Sequence, residues 1–462
     1  MTTQKSFEPT RFFSTNRAAP VCGLREALLK GQAPDRGLYM PETFHPLAQE
    51  ELAALKDRSY PEVAHALLRR FTAGVLDDDR LLALCRDAYN FDVPLEKVTA
   101  RRYVMRLDRG PTASFKDFAA RMMARWMGAL MAQDGGELVI LTATSGDTGS
   151  AVAHAYYRVP GVKVVVLFPT DEVSNRQRKQ MTTLGENITT VAVDGKFDDC
   201  QAMVKRAFAD GELAGIQLSS ANSINVGRLL PQAVYYAYAW LKLADLGKRE
   251  PVVFSVPSGN FGDMMGAVFA RKMGVPIERL VIATNANDEV PQFLATGTYR
   301  KIEPSRVCIS NAMNVGHPSN LARLVEVYGG QMDEKGELKK PADMEAMRRD
   351  LYAVSIDDAE TRSTIRNAWQ EHQLLLEPHG AVGWAGLTRY LAVVAPTPEP
   401  LCVSVETAHP AKFPDEIKAL VGIDPPLPKS LEGIEQKTES YERMKVDYET
   451  LKVLLKQRFL RH

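Results

Sequence analysis

A chain of 462 residues, 45% hydrophobic and 25% charged, is long enough for two or three domains with buried cores and does not have the composition of a disordered protein. Lysine plus arginine equals aspartate plus glutamate at 57 each, so the balance points to neither nucleic acid nor an anionic membrane, and small anionic ligands must be held by local sites. Cys22, Cys85, Cys200, Cys308 and Cys402 are scattered without metal-ligand spacing, and there is neither an apolar leader nor a membrane-length apolar run, so a cytoplasmic protein without structural zinc is expected.

Residues 1 to about 95 are mainly helical by pattern and form a first unit. The run Gly110-Pro111-Thr112-Ala113-Ser114-Phe115-Lys116-Asp117 follows. Gly110 and Pro111 break the preceding element, Ser114 is a natural N-cap with Asp117 three residues on, and a helix is expected from Lys116. Phe118, Ala119, Met122, Trp126, Ala129 and Leu130 recur at helical spacing behind it. A cation is out of place at a helix N-terminus, where the dipole favours negative charge, and a desolvated, neutral, nucleophilic lysine would escape the conflict. By itself the run also fits a solvated surface lysine.

Next comes a buried-strand pattern at 138–143, entering the turn Thr144-Ser145-Gly146-Asp147-Thr148-Gly149 and then a helix. The N–H groups at such a helix start, with the hydroxyls of Thr144, Ser145 and Thr148, could hold a carboxylate or phosphate, though an ordinary capped turn would read the same way. Short β-branched runs at 162–168 and 189–193 alternate with helical patterns, and Asn222-Ser223-Ile224-Asn225-Val226-Gly227-Arg228 gathers polar groups before an arginine that could fork onto phosphate or simply face solvent. A second strand-to-turn unit, 252–256 followed by Ser258-Gly259-Asn260-Phe261-Gly262-Asp263, has glycines that let a backbone close around phosphate. It is neither a dinucleotide fingerprint nor a P-loop.

Further strands are expected at 280–283 and 401–405, giving an α/β fold with largely parallel sheets. Residues 320–372 read as a charged helical elaboration without buried strands, and 432–462 as a docked amphipathic terminal helix. In Thr407-Ala408-His409-Pro410-Ala411-Lys412-Phe413, His409-Pro410 could be a plain turn, and Lys412 either a cation at a site or a salt-bridging residue. A lysine at one helix start and two anion cradles together suggest an aldehyde cofactor that carries a phosphate.

These motifs, in this order, resemble the threonine synthases, pyridoxal-phosphate enzymes of the fold type shared with tryptophan synthase β and cysteine synthase. Phe13-Ser14-Thr15-Asn16, the run from Leu24 to Gly31 and Gly37-Leu38-Tyr39-Met40-Pro41 resemble the N-terminal domain peculiar to that family. The wording around Asp147 and His409 resembles its bacterial and fungal subgroup, not the plant-type enzymes regulated by S-adenosylmethionine. The resemblance implies a tryptophan synthase β-like fold, with two open, mostly parallel sheets and the cofactor between them, beside an N-terminal helical domain. It places the N-terminal domain at 1–95, a large domain at 96–134 and 241–462, and a small domain at 135–240.

It also implies roles. Lys116 matches the lysine that binds pyridoxal 5'-phosphate covalently and later moves protons between substrate carbons. Ser258, Gly259, Asn260, Phe261 and Gly262 match the cofactor-phosphate loop, and Thr407 the hydroxyl that meets the pyridine nitrogen. Thr144, Ser145 and Thr148 match the substrate-carboxylate site, and Asn222, Ser223 and Arg228 the group that grips the substrate's phosphate. Asp147 stands where many relatives of the wider fold type have an asparagine beside the cofactor's phenolic oxygen, so either its carboxyl is kept neutral by burial or the proton sits on the cofactor. The reaction implied is conversion of O-phospho-L-homoserine and water to L-threonine and phosphate, by a monomer or weak homodimer. A dehydratase is disfavoured by the N-terminal signature and the phosphate-gripping set. The alternatives are a phospho-lyase that releases phosphate and a keto acid and, more remotely, a non-catalytic homologue acting as an interaction protein.

Overall fold

Two mostly parallel sheets carry the architecture of the protein, a computed structural model that describes residues 7–460. The larger has the order Leu351–Ser355, Ile277–Thr284, Val252–Pro257, Leu401–Glu406, Arg102–Arg106, Leu95–Lys97, and only its last pair is antiparallel. The smaller is parallel throughout, in the order Glu442–Lys445, Ile188–Asp194, Val162–Pro169, Leu138–Ala143, Leu218–Ser219. The central strands Val252–Pro257, Leu401–Glu406 and Leu138–Ala143 are buried at every position, because helices cover both faces. That is why these segments read as continuous apolar runs without alternation.

The helix Lys116–Asp134 packs between the halves of the molecule, against Asp147–Tyr156 on one side and Asp78–Ala88 on the other. One continuous core joins the N-terminal unit to the inner faces of both sheets, with Phe118, Trp126, Tyr235, Tyr236 and Phe254 among its fully buried rings. No helix among the described residues is long and apolar enough to cross a membrane.

Four details go beyond the expectations. The N-terminal unit is not only helical: Arg11–Ser14 forms an antiparallel three-stranded sheet with Cys22–Gly23 and Tyr39–Pro41. These strands have two to four residues, too short to show a period of two. Residues 320–372 contain an edge strand of the larger sheet, Leu351–Ser355, whose half-buried pattern lacks the apolar run of a central strand. The terminal stretch, expected with the larger domain, adds the strand Glu442–Lys445 to the smaller sheet and packs the helix Tyr448–Phe459 against Phe197–Ala209. Conversely, Ala233–Leu243, expected in the smaller domain, packs on Tyr60–Thr72 and Gly262–Lys272.

Candidate active site

All the loops singled out in the sequence lie at the carboxyl ends of parallel strands: Thr144–Thr148 after Leu138–Ala143, Ser258–Gly262 after Val252–Pro257, and Thr407 after Leu401–Glu406. In open α/β sheets this is the edge where ligands bind. Segment 113–115 runs antiparallel to 407–409, with Phe115 N–H donating to Thr407 O at 2.8 Å and His409 N–H to Ala113 O at 3.0 Å. Lys116 is thereby fixed beside Thr407.

The helix does start at Lys116, but Ser114 is not its cap. Asp117 turns back instead and accepts from Thr112 N at 2.8 Å and Thr112 Oγ1 at 2.6 Å. Gly110 is required there, since a Cβ would lie 2.4 Å from Asp117 Oδ2. Freed from capping, Ser114 Oγ is buried without a hydrogen-bond partner, an atom that a ligand would satisfy. Burial brings the Lys116 ammonium down to about 8; Asp147 opposes the shift, and Lys412 and Arg228 reinforce it. The lysine is a part-buried, activated amine and not a solvated surface residue.

Two backbone cradles lie at this edge of the sheets. At Phe261 the chain takes a φ of 62° into the helix Gly262–Lys272, and the N–H groups of Gly259, Asn260, Phe261 and Gly262 find no acceptor among the described residues. Gly259 admits no side chain, because a Cβ would sit 2.8 Å from Met313 Cα. Ser258 is anchored by its N–H to Ala283 O at 2.8 Å and its Oγ to Val256 O at 2.9 Å. In the second cradle Thr144 works internally: its Oγ1 accepts from Gly146 N at 2.9 Å and Gly149 N at 2.8 Å. Ser145 and Thr148 remain part-exposed at the mouth of the helix Asp147–Tyr156.

Asp147 bears on the choice between a carboxyl kept neutral by burial and a proton held on the cofactor. Its Oδ1 lies 2.5 Å from the buried Lys412 ammonium and accepts from Gln177 Nε2 at 2.9 Å. Burial alone would raise its pKa, but Lys412 and Lys116 outweigh burial and hold the carboxyl well below the ordinary carboxylate range. It is an ion-paired carboxylate, not a neutral acid. Lys412 also donates to Thr112 O at 3.0 Å, so the terminal segment of the larger sheet is tied to both Asp147 and the lysine loop.

On the third side, Arg228 is buried beneath the turn that begins at Ala221, with NH1 donating to Ala221 O at 2.5 Å and Nε unpartnered. Burial lowers its guanidinium to about 10. Asn222 accepts from Thr142 Oγ1, and Ser223 Oγ accepts from Asn260 Nδ2 at 2.7 Å, which links this turn to the Ser258–Gly262 loop. Asn225 does not face a ligand: its Nδ2 donates to Leu28 O at 2.8 Å and Ser220 O at 3.0 Å.

Several participants carried no local signal. Gln177 and Gln180 come from Asn175–Thr182, and Gln180 Nε2 reaches across to Thr112 O at 3.1 Å. Behind Thr407, Glu406 is fully buried and held well above the carboxylate range by burial and by Glu377. Glu377 itself caps the helix Pro378–Val394 and pairs with His379 Nδ1 at 2.6 Å. The donor set fits a phosphate-bearing aldehyde: an activated lysine, an open N–H cradle, the unpartnered Ser114 Oγ and Thr407. Lys116 would hold the aldehyde carbon, Ser258–Gly262 its phosphate, and Thr407 the ring nitrogen.

Comparison with known proteins gives the same picture. Residues 93–402 match the pyridoxal-phosphate dependent enzyme family, 11–89 the threonine synthase N terminus, and 380–454 the threonine synthase C-terminal family. The chain is 39% identical to threonine synthase of Haemophilus influenzae over 93% of this chain and 96% of that protein, and 38% identical to that of Escherichia coli over 88% and 90%. Among solved structures, pyridoxal-phosphate-bound threonine synthase from Brucella melitensis superposes with a TM-score of 0.90 at 35% identity, covering 97% of this chain and 99% of that one. The yeast enzyme superposes with a TM-score of 0.89 at 30% identity, covering 97% and 98%.

Proposed function

Because the chain belongs to the threonine synthase family of pyridoxal-phosphate-dependent lyases, we propose that its cleft converts O-phospho-L-homoserine and water to L-threonine and phosphate. The observation that carries this reading is the placement of Lys116, an amine lowered to about 8, among an open N–H cradle at 259–262, a second helix start at 145–148 and the buried Arg228. A substrate with an α-carboxylate and a terminal phosphate has two anionic ends, and the cleft has matching places for both beyond the one for the cofactor.

When bound, the cofactor supplies an electron sink for the carbons next to its attachment point. The protein supplies the rest. Lys116, released when the substrate amine takes its place, is tethered close enough to serve as base and then acid at successive carbons. Ser145 and Thr148 orient the carboxylate through hydroxyls and helix N–H groups. Arg228, with Asn222 and Ser223, would hold the phosphate that leaves from Cγ, while the carboxylate contacts would keep the remaining carbon chain in place for attack of water at Cβ. A buried cation here is worth more than one in water, because little solvent screens it. The scattered cysteines, all buried and free, support residence in the reducing cytoplasm.

The test is incubation of purified, cofactor-loaded protein with O-phospho-L-homoserine, measuring threonine and phosphate together. Equal amounts of both are expected. Phosphate with a keto acid and no threonine would instead make the protein a phospho-lyase, and release of neither would refute the reading.

A further inference from the structure

Arg323 is fully buried in the short helix Leu321–Val327, and among the described residues no carboxylate lies within ion-pair distance of it. Its donors go to neutral acceptors from three parts of the chain. Nε donates to Tyr39 O at 3.1 Å, in the N-terminal sheet; NH1 donates to Ser223 O at 3.1 Å and Asn320 Oδ1 at 2.6 Å; NH2 donates to Ile224 O at 2.7 Å. Asn320 in turn donates to Asn260 O at 2.9 Å, and Ser319 N–H to Asn260 Oδ1 at 2.7 Å. One five-residue segment therefore clamps the N-terminal sheet, the turn at Asn222–Asn225 and the loop at Ser258–Gly262.

A guanidinium buried away from water and from any counter-charge is costly to maintain. Burial lowers this one only to about 9, so it stays charged at neutral pH. Two physical effects follow. Because a trans peptide points its N–H opposite to its C=O, holding the carbonyls of Ser223 and Ile224 toward Arg323 turns the N–H groups of Ile224 and Asn225 away from it, that of Asn225 closing the turn onto Asn222 O at 3.0 Å. And an uncompensated positive charge behind an anion-binding turn favours an anion on the other side without touching it.

We propose that Arg323 is a positioning residue for the phosphate end of the substrate, held in part by Tyr39 O of the N-terminal sheet, and that it sets the turn at Asn222–Asn225 and biases it electrostatically. This rests on the reading of that turn as the grip on the substrate's phosphate. Arg323 would act through the turn, since its side chain is fully buried and its donors go to protein acceptors, and the cofactor's attachment to Lys116 would not depend on it.

The experiment compares wild type, Arg323→Met and Arg323→Lys as holoenzymes, reading kcat, KM for O-phospho-L-homoserine, the inhibition constant of inorganic phosphate and the visible cofactor band. Arg323→Met should raise KM and the phosphate inhibition constant about tenfold or more, with a smaller change in kcat and an unchanged band. Arg323→Lys, which restores the charge but not the fork when assayed at a pH low enough to keep a buried lysine protonated, should recover most of the phosphate affinity. Equal losses in both variants would reduce Arg323 to packing and overturn the electrostatic claim. Unchanged KM and phosphate inhibition would overturn the proposal entirely. If the methionine variant does not fold, the lysine variant decides: a two- to fivefold rise in both constants supports the proposal, and no rise overturns it. Failure of wild type to release threonine and phosphate would sink the functional reading with it, whereas release of both with equal phosphate inhibition of wild type and variants sinks this inference alone.

Discussion

The ammonium of Lys412 sits 2.5 Å from Asp147 Oδ1, with both side chains almost wholly excluded from solvent. The pair joins the loop after Leu401–Glu406 in the larger sheet to the start of Asp147–Tyr156 on the smaller one. The negative charge of Asp147 is thereby met by a cation from the protein itself.

Breaking this pair from one side leaves an uncompensated buried charge. Lys412→Met should therefore lose about 3 to 5 kcal/mol of stability, while Lys412→Met with Asp147→Asn recovers most of it, as chemical denaturation would show. The folded pKa of Asp147 is depressed below 3.8, so the pair's contribution is fully present above that value and is lost only as pH falls through the lower folded one. Additive losses in the double variant would show that the two residues act independently. If Asp147 lies beside the cofactor's ring oxygen, the single variant should also shift the pH titration of the absorption spectrum, and the double should restore it.

Lys116, lowered to about 8, should capture the cofactor readily near neutrality. At pH 7 roughly one such amine in ten is neutral, against roughly one in a few thousand for an ordinary lysine. The rate of band formation after adding pyridoxal phosphate to the cofactor-free protein should rise about tenfold per pH unit below 8 and level off above it. Borohydride should fix the cofactor to the peptide carrying Lys116, and labelling at another lysine would refute the assignment. Lys116→Ala should retain weak cofactor binding and lose turnover.

Arg228→Ala should reduce kcat/KM with O-phospho-L-homoserine by the equivalent of about 2 to 4 kcal/mol and weaken inhibition by phosphate, while sparing the cofactor band. The variant also loses the bond to Ala221 O, so a drop in melting temperature with unchanged phosphate inhibition would assign Arg228 to holding the turn alone.

Asp263, in the first turn of Gly262–Lys272, is raised to about 6 by burial, although the hydroxyls of Tyr235 and Tyr236 donate to it at 2.5 and 2.7 Å. A raised folded pKa means that its contribution is fully present below 3.8 and is lost as pH rises through about 6. Asp263→Asn should remove that dependence, so that stability between pH 4 and 8 falls less in the variant than in wild type. Parallel stability curves would place Asp263 outside the titration.

Local pattern alone determined the parallel α/β class, the strands that lead into each loop, the helix that opens on Lys116 and the motifs that mark the family. Each of these rests on short-range causes: apolar runs, backbone breakers, and glycine and hydroxyl punctuation within a few residues. Tertiary structure decided what the side chains meet. Ser114 lost its capping role because Asp117 found Thr112 nearby, Asn225 turned to Leu28, and Arg228 went inward beneath Ala221. Lys412 met Asp147, and Arg323 met Tyr39, Ser223 and Ile224, only because the packed fold brings distant segments together. Charge and hydrogen-bonding capacity can be read from residue type, but a partner far along the chain is selected by which groups burial leaves unsatisfied, and that depends on the whole fold.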